Sequence, residues 1–171
     1  MDTINRYGAP VTLAKFALIV IAIVVAQGIL SIKLQAFTFF DLPLIYSIYY
    51  GFVLASPIGS IAIGSSLGLM QDSLSGAVLG TNGFTKTLIG FLAATAGSKF
   101  DVEQPITRAL ALVLFTCLDL VLKVVLGGIT GPDLSEATGP SAGTWVLSAV
   151  FNLLLGMILF GYRSRFGNAT A

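Results

Sequence analysis

Long runs of apolar residues recur along the 171-residue chain and constrain its fold more than any other feature. In the first run, every residue from position 16 to position 26 is apolar. Only 10% of the residues are charged, whereas a soluble globular domain carries about 25%. Such a chain cannot cover a water-facing surface, so the sequence excludes soluble enzymes, nucleic-acid binders and disordered segments.

Six segments are candidate membrane spans, since a helix needs about 20 apolar residues to cross the hydrocarbon core. The predicted spans are 12–31, 42–55, 58–79, 82–97, 105–126 and 143–162. Asp41 precedes the second span as a capping carboxylate, and Gly127-Gly128 is expected to end the fifth. The predicted fold class is therefore all-α: a polytopic integral membrane protein with six transmembrane helices in a single membrane domain, residues 1–171.

Basic residues indicate the orientation, because cytoplasmic loops of membrane proteins are rich in Lys and Arg. With a cytoplasmic N-terminus, six basic residues lie on or near the cytoplasmic side: Arg6, Lys15, Lys99, Arg108, Arg163 and Arg165. Lys33 and Lys86 then lie on the outer side, and Lys123 lies inside the fifth span toward it, so both termini are predicted to be cytoplasmic. A cleaved signal peptide is the alternative interpretation of the first span.

The third span carries the most unusual pattern. Residues 58–70 are too few to cross the membrane, so the helix is predicted to continue to Leu79, which gives about 33 Å. Gln71 and Asp72 then lie in its outer half, where a carboxylate is costly unless it faces protein or water. Alternatively, the helix breaks at residues 73–76 and Asp72 caps a second short helix.

Small residues recur at every fourth position of the same span. Gly64 and Gly68 form one GxxxG pattern, and Gly76 and Gly80 form a second. Such patterns permit close approach of two helices in lipid. We expect these glycines to pack within the chain's own bundle, with an interface to another protein as the alternative.

Few other polar residues lie near or within the predicted membrane. Asp119 and Lys123 are spaced i, i+4 and are expected to pair, and Asp72 and Lys86 can pair across the turn between spans three and four. The chain has no His and only one Cys, Cys117, which excludes a His/Cys metal site, and no cofactor is expected. An aspartyl protease would need Asp72 and Asp119 as a pair, but neither lies in a recognisable catalytic string, so we expect no enzyme activity.

One string in the third span follows the pattern G-x-x-x-Q/L-D-x-L-S-G-x-x-L-G. The chain matches it loosely at Gly68 and directly at Gln71, Asp72, Leu74, Ser75, Gly76, Leu79 and Gly80. Together with residues 42–50 and 83–93, this string resembles the MreD family, the small membrane subunits of the bacterial rod-shape system.

The resemblance implies a non-enzymatic scaffold in the bacterial cytoplasmic (inner) membrane that supports peptidoglycan synthesis and cell-shape control. It implies MreC as the partner and, through MreC, the actin-like MreB, the glycosyltransferase RodA and a class B penicillin-binding protein. It also implies a fold like the six-helix substrate-binding components of energy-coupling-factor transporters, which leaves a vitamin-binding transporter subunit as the alternative function. The lipid bilayer is an expected partner and nucleic acid is not.

The candidate site residues follow from these patterns. By the resemblance, those in the family string shape the break and the tight packing of spans three and four, and do not act in catalysis. The candidate packing or partner-binding residues are Gly64, Gly68, Gln71, Asp72, Ser75, Gly76, Gly80, Lys86, Asp119 and Lys123.

Overall fold

The computed structural model is helical wherever it has regular secondary structure. It describes residues 21–22, 24–25, 27–28, 40–54, 56–75, 78–99, 104–130 and 142–166. Its helices are α1 (Leu42–Leu54), α2 (Pro57–Ser75), α3 (Thr81–Lys99), α4 (Pro105–Thr130) and α5 (Ala142–Phe166). The described residues between 21 and 28 are helical as well, and none of the described residues forms a strand. The predicted all-α class is therefore confirmed.

Membrane character is clearest in α4. Within the described part of the chain, Pro105–Ile129 is the one helical stretch that is both long and apolar enough to cross a membrane. Leu42–Leu54 and Trp145–Gly161 are shorter apolar stretches. The six spans and the cytoplasmic termini stay predictions, and most of the first span, with the signal-peptide alternative, lies outside the described residues.

Helix boundaries differ from the sequence predictions at two places. The helix that begins at Pro57 ends at Ser75 instead of continuing to Leu79, because the chain turns through Gly80, whose φ is +100°, a conformation open to glycine. The predicted end of the fifth span at Gly127-Gly128 is wrong, since α4 continues to Thr130. Glycine lowers helix propensity but keeps its backbone donor, so two glycines need not end a helix.

The core of the bundle surrounds α1. Leu44, Ile48 and Phe52 of α1 are each less than 5% exposed. They belong to one cluster with Tyr49, Ile89, Ala93, Leu112, Phe115 and Phe160, which come from α1, α3, α4 and α5. A smaller cluster joins Val24 to Ile63 and Leu67 of α2. The short helix α1 is therefore central, and Asp41, the residue before it, is buried as well.

The outward faces of α4 and α5 are aliphatic. Ile106, Leu110 and Leu114 of α4 are between 63% and 79% exposed. On α5, Val146 and Ile158 are 64% and 67% exposed. An apolar surface of this extent is unusual on a protein in water, and it suits contact with lipid.

Candidate functional site

The first GxxxG pattern brings the backbones of α2 and α3 into contact. A Cβ atom placed on Gly68 would lie 2.2 Å from the carbonyl oxygen of Asn82. A Cβ atom on Gly64 would lie 2.3 Å from the carbonyl oxygen of Lys86. Both distances are far below van der Waals contact, so only glycine fits at either position. In the structure, this small-residue face of α2 is occupied by α3 of the same chain.

Asp72 caps the beginning of α3. Its side chain is buried near the end of α2. Its carboxylate accepts hydrogen bonds from the backbone N–H groups of Gly80 (2.8 Å), Asn82 (3.0 Å) and Gly83 (3.1 Å), and from the side-chain amide of Asn82 (2.9 Å). A carboxylate at this place satisfies donors that a helix start leaves without partners and interacts favourably with the helix dipole.

Lys86 pairs with a residue other than the one predicted. Its fully buried ammonium donates to Asp41 Oδ2 at 2.9 Å and to Asn82 Oδ1 at 3.1 Å. The predicted direct pair between Asp72 and Lys86 is therefore wrong, because the oxygens of Asp72 are occupied by the start of α3. Asn82 connects the two groups, since its amide nitrogen donates to Asp72 while its oxygen accepts from Lys86.

Asp41 joins the two lysines of the site. The same Oδ2 atom that accepts from Lys86 lies 2.9 Å from Lys123 Nζ. The predicted pair between Asp119 and Lys123 is present, with 2.6 Å between Asp119 Oδ2 and Lys123 Nζ. Asp119 Oδ1 lies 4.0 Å from Lys86 Nζ. These four residues, Asp41, Lys86, Asp119 and Lys123, form a charge network in which two carboxylates balance two ammonium groups.

Side-chain amides fix the backbone around Asp41. Asn152 Oδ1 on α5 accepts a hydrogen bond from the Asp41 N–H at 3.0 Å. Gln27 Oε1 accepts from the Leu42 N–H at 2.9 Å, and Gln27 Nε2 donates to the carbonyl oxygen of Phe40. The start of α1 is thereby tied to α5 and to the helical segment that contains Gln27. The sequence analysis did not identify Gln27 or Asn152 as site residues. Each is a polar residue within an apolar run, and this pattern could have indicated them.

The remaining predicted site residues lie at the end of α2 or just beyond it. Gln71 is half-buried, and its buried Oε1 has no hydrogen-bond donor within the described part of the chain. Ser75 is exposed, and its hydroxyl donates to the carbonyl oxygen of Asp72 at 3.4 Å. Gly80 supplies the turn into α3. Gly76 lies outside the described residues.

The positions of Asp72 and Asp119 can be compared with the paired carboxylates of an aspartyl protease. Asp72 accepts from the start of α3, whereas Asp119 pairs with Lys123. The two carboxylates therefore have separate sets of partners, and this arrangement differs from the shared site that an aspartyl protease uses. Among the described residues, no group of three or more His, Cys, Asp or Glu side chains is placed to hold a metal ion. The charge network is balanced in charge and links the start of α1 to α3 and α4, although the buried Asp119 Oδ1 has no hydrogen-bond donor within the described residues.

Comparison with known proteins identifies one family. The sequence model for the rod shape-determining protein MreD matches residues 9–166 of the chain. Neither the curated proteins nor the solved structures gave a match. The matched region contains the whole charge network and the complete α2–α3 hairpin.

Proposed function

The chain belongs to the MreD family of rod shape-determining proteins, and we propose that it is a multi-pass, non-enzymatic scaffold of the bacterial inner membrane. Membership of this membrane-protein family supports a role in rod-shape determination and association with the rod-shape complex. The partner that we propose is MreC. Through MreC the chain would reach MreB, RodA and a class B penicillin-binding protein, and so support peptidoglycan synthesis and cell-shape control.

Helix lengths support the multi-pass arrangement. The helices α2 and α3 each contain 19 residues, which corresponds to about 28 Å at 1.5 Å per residue. The helices α4 and α5 contain 26 and 25 residues. The hydrocarbon core is about 30 Å thick, so α4 and α5 have the length to cross it, and α2 and α3 extend through almost all of it. The central helix α1 is shorter, with 13 residues, and begins directly after Asp41 of the charge network.

The placement of the charges supports a scaffold. Ionisable side chains within a membrane domain are costly, and they commonly mark functional sites. Here Asp41, Asp119 and Lys86 are almost completely buried and are paired within the chain. The observation that carries the proposal is the family match over residues 9–166, and the internal pairing of these charges agrees with a structural role for them.

Co-purification with MreC tests the proposal. The tagged chain is expressed in rod-shaped cells that lack their own copy, and the membranes are solubilised in mild detergent. We expect rod shape to be restored and MreC to be recovered with the tagged chain. A Gly68→Leu variant is the matched negative control, because a large side chain would separate α2 from α3. Restored rod shape without any recovery of MreC would contradict the proposed partner.

The vitamin-binding alternative receives less support from the site. A ligand site of that kind uses a small number of polar groups that converge on a cavity. In this chain the carboxylates of Asp41 and Asp72 accept their hydrogen bonds from the protein itself. Thermal unfolding of the purified chain with a panel of vitamins would detect such binding. A higher unfolding temperature in the presence of one vitamin would favour the transporter function over the scaffold.

A further inference from the structure

The turn between α2 and α3 carries large apolar side chains on its outside. Leu74, Val78, Leu79 and Phe84 are between 54% and 71% exposed, and we call these four side chains the apolar tip. The sequence from residue 73 to residue 85 contains no charged residue. A turn that projects into water would normally carry polar or charged side chains, so the composition of this one calls for an explanation.

The backbone at the start of α3 needs no water to satisfy its donors. The N–H groups of Asn82 and Gly83 donate to Asp72 at 3.0 and 3.1 Å. The N–H of Thr81 donates to the carbonyl oxygen of Val78 at 3.2 Å, and that of Phe84 donates to Gly80 at 2.7 Å. The first four N–H groups of this helix are therefore all paired. Pairing of backbone donors is the condition for placing a helix start in lipid, because the hydrocarbon offers no hydrogen bonds.

The depth of the turn follows from the charge network. Lys86 on α3 and Lys123 on α4 both lie 2.9 Å from Asp41 Oδ2, so the two lysine ammonium groups share one level of the bundle. The start of α3 at Thr81 lies five residues from Lys86, or about 8 Å. The apolar stretch of α4 continues six residues beyond Lys123 to Ile129, or about 9 Å.

The start of α3 and the apolar end of α4 lie at the same end of the bundle. The opposite ends of α3 and α4 are joined by the short connection between Lys99 and Pro105, so the two helices run in opposite directions. The start of α3 therefore lies at the level of the apolar end of α4. The segment of α4 at that level exposes Val124 (42%), Val125 (52%) and Ile129 (75%), which are side chains suited to lipid.

We propose that the apolar tip is immersed in the acyl region of the bilayer, so that the α2–α3 turn contacts lipid and not water or another protein. This inference rests on the proposed membrane embedding of the chain but is independent of MreC. The internal cap by Asp72 is what permits it, since the cap replaces the water that a helix start otherwise binds.

Spin-label accessibility in vesicles tests the inference. The full chain carries Cys117→Ser and one new cysteine, Leu79→Cys or Phe84→Cys, labelled with a nitroxide. The purified protein alone is reconstituted into phosphatidylethanolamine–phosphatidylglycerol vesicles. The measurement is the ratio of collisions with oxygen, which concentrates in lipid, to collisions with a water-soluble nickel chelate. Lys99→Cys, on the exposed other end of α3, is the water control, and Leu114→Cys, on the exposed face of α4, is the lipid control.

We expect oxygen-to-nickel ratios at Leu79 and Phe84 that are several-fold above the ratio at Lys99 and close to that at Leu114. Ratios like that of Lys99 would place the tip in water and overturn the inference while membrane embedding stands. Protection from both reagents would show a protein cover, such as a second copy, and would also overturn it. High nickel collision at Leu114 itself would refute the embedding, and with it this inference. Unchanged helical circular dichroism in each variant shows that the labelled protein is folded.

Discussion

The charge network predicts that Asp41 contributes strongly to the stability of the bundle, since its carboxylate pairs with both lysines. Replacing Asp41 by Asn keeps the size of the side chain but removes the carboxylate that both lysines share. Lys123 is 29% exposed and keeps Asp119 at 2.6 Å. Lys86 is 0% exposed and keeps the neutral oxygen of Asn82 at 3.1 Å, with Asp119 only at 4.0 Å. Asp41→Asn therefore leaves the buried ammonium group of Lys86 without a carboxylate at hydrogen-bond distance.

The magnitude follows from the cost of breaking a buried ion pair. Removal of one partner of such a pair typically costs about 3–5 kcal/mol, because the other charge stays buried. We expect the free energy of unfolding of Asp41→Asn to fall by about that amount. The double variant Asp41→Asn/Lys86→Met removes the stranded charge as well, so it should recover a large part of the loss. Lys123→Met removes the only partner of Asp119 at hydrogen-bond distance and leaves this buried carboxylate with Lys86 at 4.0 Å, so we expect a loss of similar size.

Unfolding by sodium dodecyl sulfate in mixed micelles, followed by circular dichroism, gives the free energies for the original chain, the single variants Asp41→Asn, Lys86→Met and Lys123→Met, and the double variant Asp41→Asn/Lys86→Met. The design is a double-mutant cycle between Asp41 and Lys86, which reports their interaction apart from the effect of each substitution. A loss in the double variant equal to the sum of the two single losses would refute the pairing. So would an Asp41→Asn variant that unfolds like the original chain.

Three further predictions use the same unfolding measurement. Gly68→Ala should destabilise by about 1–3 kcal/mol, because its Cβ would lie 2.2 Å from a backbone oxygen of α3; Gly128→Ala, with nothing within 4 Å, is the matched control and should not destabilise. Asp72→Asn should cost about 1–2 kcal/mol by weakening the cap of α3, and an unchanged free energy would show that the cap is dispensable. Gly80→Ala should cost about 1–2 kcal/mol through its positive φ alone, since its Cβ meets no atom within 4 Å, and a loss well above this range would require another cause.

Local patterns made part of the site predictable from the sequence. The pair Asp119–Lys123 depends only on a spacing of four residues in one helix, and it is present at 2.6 Å. A carboxylate just before a proline, as in Asp41-Leu42-Pro43, predicts a helix cap, and Asp41 Oδ1 does accept from the Leu44 N–H at 3.0 Å. The second oxygen of the same carboxylate serves the lysines. No sequence pattern assigns two roles to one carboxylate, so the sequence did not predict the contacts of Asp41 with Lys86 and Lys123.

Contacts between distant residues were not predictable from one sequence. Lys86 and Asp41 are 45 positions apart, and sequence neighbourhood instead favoured Asp72 as the partner of Lys86. The structure reverses this choice because Asp72 lies where the donors at the start of α3 converge. A backbone cap and a lysine compete for one carboxylate, and the turn geometry set by Gly80 decides the outcome. That geometry depends on how α2 and α3 pack, which a linear pattern does not contain.

The internal pairing of the charges leads to a last prediction about MreC. If the network acts only by holding the helices together, its variants should change the amount of folded chain but not the affinity of each folded molecule for MreC. The double variant Asp41→Asn/Lys86→Met suits this test, because it removes two network charges and is expected to remain more stable than Asp41→Asn. We expect the ratio of recovered MreC to folded tagged chain to equal that of the original protein, with folded chain measured by monodisperse elution in detergent. A lower ratio at equal amounts of folded chain would mean that the network contacts MreC directly, and that its charges serve recognition as well as assembly.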